Sequence, residues 1–135
     1  MRNTLALLLF IAPVAFATAP ADLLGEYDAQ ARRADPAFSG FSSERGAALY
    51  RRAVARADGG SSGCSSCHTP DPRRPGRHAR TGKEIAPLAP AAAPGRLTDP
   101  AKAEKWFGRN CRDVLARECT AQEKGDFLRF LIDSK

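Results

Sequence analysis

Cys64-Ser65-Ser66-Cys67-His68, near the middle of the 135-residue chain, has the C-x-x-C-H spacing of a c-type haem attachment sequence. Two thiols three positions apart can add to the two vinyl groups of one porphyrin. The imidazole that follows then reaches the iron as the proximal ligand. The same spacing also suits a thioredoxin-like redox pair, part of a zinc site, or a plain disulfide. A thioredoxin motif needs a βαβ setting, and the surrounding pattern has none. A four-ligand zinc site would have to recruit Cys111 and Cys119, whose separation is not a knuckle spacing. One covalent haem c on Cys64 and Cys67, with His68 on the iron, is therefore the expectation.

The flanks predict a helical frame. On the N-terminal side, a helix is expected from about Ser43 to Ala57, with Gly46, Tyr50, Ala53, Val54 and Ala57 on one face. Asp58-Gly59-Gly60-Ser61-Ser62-Gly63 stops it and leads flexibly into Cys64. Further upstream, Leu23, Leu24, Tyr27, Ala31 and Ala34 recur at helical spacing over residues 21–34, and Asp35-Pro36 ends that segment. On the C-terminal side, six of the ten prolines fall within residues 70–97, which excludes a long helix or a central strand there. That loop has a basic half (Arg73, Arg74, Arg77, Arg80, Lys83) and an apolar half (Ile85 to Ala93), the latter suited to covering an apolar surface. Asp99-Pro100 then offers an N-cap and a first helical residue for a helix through about Cys111. Thr120-Ala121-Gln122-Glu123 is a capping box opening a last helix with Phe127, Leu128, Leu131 and Ile132. No alternation marks a strand. The fold class predicted is all-α, a small single domain around one haem with a long proline-rich loop.

Composition sets the compartment. A hydrophobic content of 43% supports a modest core, and four cysteines are too few for a disulfide-stapled miniprotein. Arg2, the apolar run Leu5 to Ala12 and the small-residue site Ala15-Phe16-Ala17 describe a signal peptide over residues 1–17. Cutting after Ala19 would put Pro20 next to the scissile bond, so cleavage after Ala17 is expected. A domain of residues 18–135 would then reach the periplasm. The leader is too short for a bilayer span and no later segment could form one, so the expected product is soluble. The net charge of +6 does not imply nucleic acid as a partner for an exported haem protein.

Met1 is the only methionine, and it leaves with the signal peptide. The thioether that usually completes an electron-transfer cytochrome c is therefore excluded. The remaining candidates opposite His68 are His78, a lysine, a weaker ligand, or nothing. His78 lies only ten residues on, so ligation would need a tight wrap around the haem edge, and a place near a propionate or at the surface is the simpler expectation. Ala103, Trp106, Phe107 and Asn110 share a helix face. Asn110 is thus either a polar group in need of a partner or a left-handed helix cap. The spacing does not choose between them.

Thr69-x-Asp71-Pro72, Pro75-Gly76-Arg77-His78-Ala79-Arg80-Thr81-Gly82-Lys83, Glu104-Lys105-Trp106-Phe107, Arg109-Asn110-Cys111 and Glu118-Cys119-Thr120-Ala121-Gln122-Glu123-Lys124-Gly125-Asp126 resemble the SHP-type (sphaeroides haem protein) cytochromes c over about residues 38–133. Gly46 and Tyr50, together with the aromatic C-terminal helix, resemble the helix crossing of class I cytochromes c. The resemblance implies a class I cytochrome c fold and an asparagine opposite the histidine in the oxidised state, here Asn110. It also implies a Cys111–Cys119 disulfide, which an oxidising compartment independently favours. The haem-contacting set is then Cys64, Cys67, His68, Trp106, Arg77, His78 and Lys83. The helix at 21–34 falls outside the best match. An amide oxygen suits ferric iron better than ferrous. Reduction is therefore expected to release Asn110 and to open the iron to oxygen, nitric oxide or carbon monoxide. The family further implies a dihaem cytochrome c and a membrane cytochrome b as electron donors, and it permits oxidation of nitric oxide to nitrate. The alternative is a plain electron-transfer cytochrome with His68/His78 ligation.

Overall fold

A computed structural model describes residues 19–135; the predicted signal peptide lies outside them. The elements run α1 (Pro20–Ala34), α2 (Ser43–Arg51), β1 (Val54–Ala55), β2 (Ser61–Ser62), α3 (Cys64–His68), β3 (Gly76–Arg77), β4 (Glu84–Ile85), α4 (Pro100–Leu115) and α5 (Ala121–Asp133).

The helix starts are local chemistry. The Ser42 hydroxyl accepts from the Arg45 N–H at 3.2 Å and opens α2. The Asp99 carboxylate accepts from the Lys102 N–H at 3.0 Å, with Pro100 at the first position of α4. At α5 the capping box is closed in both directions, Glu123 N–H to Thr120 Oγ1 and Thr120 N–H to Glu123 Oε2.

Helices α2 and α5 cross at Gly46. A Cβ there would lie 2.0 Å from the Asp126 carbonyl oxygen, so only glycine lets the two backbones touch. The crossing is tied by Asp126, which is buried. Its carboxylate accepts from the Arg45 guanidinium at 2.7 and 2.8 Å and from the Ser42 N–H at 2.7 Å. Two apolar clusters flank the crossing: Leu23, Tyr27, Ala103 and Leu128 on one side, and Tyr50, Phe130 and Leu131 on the other. Leu97 packs against both.

Three expectations need correction. Helix α2 ends at Arg51 rather than Ala57, because the expected face does not stay buried beyond Tyr50: Ala53 and Ala57 are exposed and Val54 is only half-buried. The chain instead folds back as a short hairpin pairing Val54 with Ser62 and Ala55 with Ser61. Gly59 takes the left-handed turn position (φ +81°), and Gly63 then passes the Arg52 carbonyl so closely that a Cβ would sit 2.5 Å from it. Strands therefore exist, but as two-residue pairs that no alternation could reveal; the second pairs Gly76 with Ile85 and Arg77 with Glu84. Helix α4 runs past Cys111 to Leu115, and the left-handed cap is Ala116 (φ 57°), not Asn110.

The proline-rich loop covers apolar surface, as its composition implied. The Pro72 carbonyl accepts from the N–H groups of both Leu88 and Ala89, and Ala89 is fully buried. Leu88 packs on the Tyr50 cluster. Among the described residues no helix is long and apolar enough to cross a membrane. The result is a small, mostly helical single domain.

Candidate haem site

The C-x-x-C-H residues form the single turn α3, entered through extended Gly63. Cys64, Cys67 and His68 are all half-buried, and both thiols are free. Cys111 and Cys119 are bonded to each other, with Cα atoms 5.7 Å apart, so they cannot serve a zinc site with Cys64 and Cys67. The backbone that carries the imidazole is clamped from two directions. From α2, the Tyr50 hydroxyl reaches the His68 carbonyl at 3.0 Å and the Thr69 carbonyl at 2.5 Å. From β3, Gly76 lies so close that a Cβ would be 2.1 Å from the Cys67 carbonyl oxygen and 2.9 Å from the His68 Cα. Thr69 leaves the turn with a positive φ (64°) and an extended ψ (164°).

Burial pushes the Cys64 thiol pKa up. Burial, reinforced by the Arg96 guanidinium, pushes that of His68 down, which favours the neutral imidazole that iron ligation requires. Arg96 went unnoticed in the sequence. It stands three residues past the apolar half of the loop and reaches back into it, donating to the Pro87 carbonyl at 2.8 Å and the Ala86 carbonyl at 2.9 Å. An arginine just past an apolar stretch was the available signal.

An aromatic row joins this turn to α4. Tyr50 packs against Phe127 (6.0 Å between centroids), and Phe127 packs edge-on against Phe107 (5.7 Å). One step outward from Phe107 on α4 stand Trp106 and Asn110. Trp106 is 44% exposed, with the Arg109 guanidinium over its ring at 5.9 Å. Asn110 is exposed at the edge of the apolar stripe rather than buried within it, so it carries no desolvation debt to the protein. Next along the chain, Cys111 is buried in the disulfide.

The basic residues separate by their partners. Arg73 is engaged by Asp71, whose carboxyl pKa it holds down at about 2, and by the Lys135 carbonyl. Arg77 donates to the Gly82 carbonyl at 2.7 Å. His78 accepts the Thr81 N–H on Nδ1 at 3.2 Å. Lys83 is exposed.

A family profile described as a domain of unknown function (DUF1924) matches residues 36–131. Cytochrome c-type protein SHP of Cereibacter sphaeroides is 46% identical over 114 residues, 84% of this chain and 83% of that protein. The chain belongs to the SHP and cytochrome c'' family. Cytochrome c'' of Methylophilus methylotrophus is 36% identical over 110 residues, 82% of this chain and 76% of that one. The crystal structure of oxidised cytochrome c'' superposes with a TM-score of 0.80 at 34% identity, covering 86% of this chain and 94% of the other. Oxidised SHP, described as an oxygen-binding cytochrome c, superposes at 0.74 with 45% identity, covering 84% and 96%. As a member of this family the chain is a monohaem c-type cytochrome. The residues fit the group: two free thiols one helical turn apart, then a neutral imidazole on a backbone held from both sides.

Proposed function

We propose that this family member is a periplasmic redox protein in which Asn110 caps the iron opposite His68 in the oxidised state and lets go on reduction, admitting small diatomic gases. Bound haem supplies an iron with two oxidation states and, once a ligand leaves, an open coordination position. Cys64 and Cys67 hold the group through thioethers, and neutral His68 donates to the iron from α3. Trp106, Arg77, His78 and Lys83 are the further residues assigned to contact it.

The observation that carries the reading is the place of Asn110. Its carboxamide stands exposed in the interior of α4, free of any capping duty, in a chain whose only methionine is Met1. A carboxamide oxygen is a neutral, hard and weak donor, which favours the ferric state and loosens on reduction. The disulfide at Cys111 anchors the backbone beside it, so release is a side-chain movement. The freed N–H2 group can then donate a hydrogen bond to an incoming gas. One relative, SHP, is described as oxygen binding, and a solution structure of cytochrome c'' addresses haem-ligand detachment. His78 suits the opposite face poorly, because its backbone closes a hairpin seated against the turn that carries His68. Electrons would come from a dihaem cytochrome c and a membrane cytochrome b.

Optical spectra of the dithionite-reduced holoprotein test this. The expected result is a broad high-spin spectrum that shifts at once on adding carbon monoxide. A sharp low-spin α band indifferent to carbon monoxide would remove the gas-binding reading and restore His68/His78 electron transfer.

A further inference from the structure

The loop after the attachment turn carries more positive charge than the site consumes. The hairpin of β3 and β4 is closed by the His78 N–H on the Lys83 carbonyl at 2.8 Å and the Gly82 N–H on the His78 carbonyl at 2.9 Å. Gly82 takes the left-handed position (φ 68°), and the Arg77 guanidinium caps the Gly82 carbonyl. The ribbon is therefore braced, and it displays Arg77, Arg80 and Lys83, all exposed, with exposed Arg74 just before it. Its one carboxylate, Glu84, forms no ion pair among the described residues. Arg73 shows the contrast, since Asp71 and the chain end occupy it. The base of the same ribbon rests on Cys67 and His68 through Gly76, so this charge lies directly outside the turn that attaches the haem.

We propose that Arg74, Arg77, Arg80 and Lys83 form the docking surface for an acidic electron-transfer protein. This deepens the proposed function by placing the electron donor, and it needs haem attachment at Cys64 and Cys67 but not Asn110. A braced cationic ribbon attracts an anionic surface at long range and orients it on arrival. One electron would leave the partner, which is oxidised by one unit, and the ferric haem would become ferrous; no covalent bond forms or breaks, and the only ligand change is the release of Asn110 proposed above. Simple solvation of a charged loop would need neither the bracing nor the seating on α3.

The probe is flavodoxin, an acidic flavoprotein. Binding of its oxidised form to the oxidised holoprotein is measured by calorimetry, where no electron moves. Reduction by its hydroquinone is followed separately by stopped flow. Arg74→Gln/Arg80→Gln, which spares the residues assigned to the haem, should weaken binding and slow reduction roughly tenfold at low ionic strength, with the difference fading at high salt. Arg33→Gln/Lys105→Gln removes the same charge from the outer faces of α1 and α4 and should leave both measurements close to wild type. Equal losses from the two pairs, or no salt dependence, overturn the docking surface. Carbon monoxide spectra of both variants should match wild type, so failure here and failure of the Asn110 reading are told apart.

Discussion

At Asn110 one side chain separates two kinds of cytochrome. Asn110→Ala should change the ferric spectrum toward high spin while leaving the covalent haem in place. An unchanged ferric spectrum would take Asn110 out of the account. Asn110→Met should act in the opposite sense. A thioether there favours ferrous iron, so the reduced protein should become low-spin and bind carbon monoxide more slowly in rapid mixing. Gly46 is the comparable residue for stability. A methyl group would collide with the Asp126 carbonyl and with Phe130 Cβ, neither of which can retreat without parting α2 from α5. Gly46→Ala should cost about 3 kcal/mol, read as a lower urea midpoint at unchanged slope.

At the scale of elements, α1 acquires a role that its sequence did not suggest. The buried Tyr27 hydroxyl donates to Glu104 on α4 at 2.6 Å, and Lys124 of α5 donates to the other carboxylate oxygen at 2.7 Å. The Tyr27 ring also stacks edge-on against Phe107, at 5.9 Å. Three helices meet at one carboxylate, a turn and a half before Asn110. Burial, then Glu104, pushes the Tyr27 pKa far above the ordinary phenol range, so it stays a donor. Partial burial pushes the Glu104 pKa up, but the bonds from Lys124 and Tyr27 outweigh it and leave the carboxyl below its ordinary value of 4.5. The Arg117 guanidinium does the same at Glu123. A carboxyl depressed in the folded state stabilises above its unfolded pKa, and that contribution is lost as pH falls through the folded value. Stability should thus decline as pH drops below about 4.5, and Glu104→Gln should flatten that decline in urea titrations at pH 6 and pH 3. Tyr27→Phe should cost about 1–2 kcal/mol by the same measurement. None of this was legible beforehand, because Tyr27 and Glu104 are 77 positions apart and leave no local pattern. The caps at Asp99 and Thr120 were legible, since they are made by neighbours along the chain. The end of α2 was not: Val54 and Ala57 continue the helical spacing, and only the loss of burial beyond Tyr50 stops the helix.

For the molecule as a whole, the attachment motif and the lack of a usable methionine could be read directly from residue identities. Arg96 and the clamp of Tyr50 on the His68 carbonyl could not, because both depend on how the loop folds back. Export is proposed from the sequence of residues 1–17. Periplasmic expression should yield a chain beginning at Thr18, bearing one haem and lacking free thiols, as intact-mass spectrometry would show; retention of the leader would count against periplasmic release. The feature with the widest reach is Gly76, where backbone meets backbone. Between the outer ribbon and the cofactor-bearing turn lies a wall one polypeptide thick, with no side chain as padding. Any side chain at position 76 would have to push ribbon and turn apart, so the two stay at contact distance for as long as glycine holds that place.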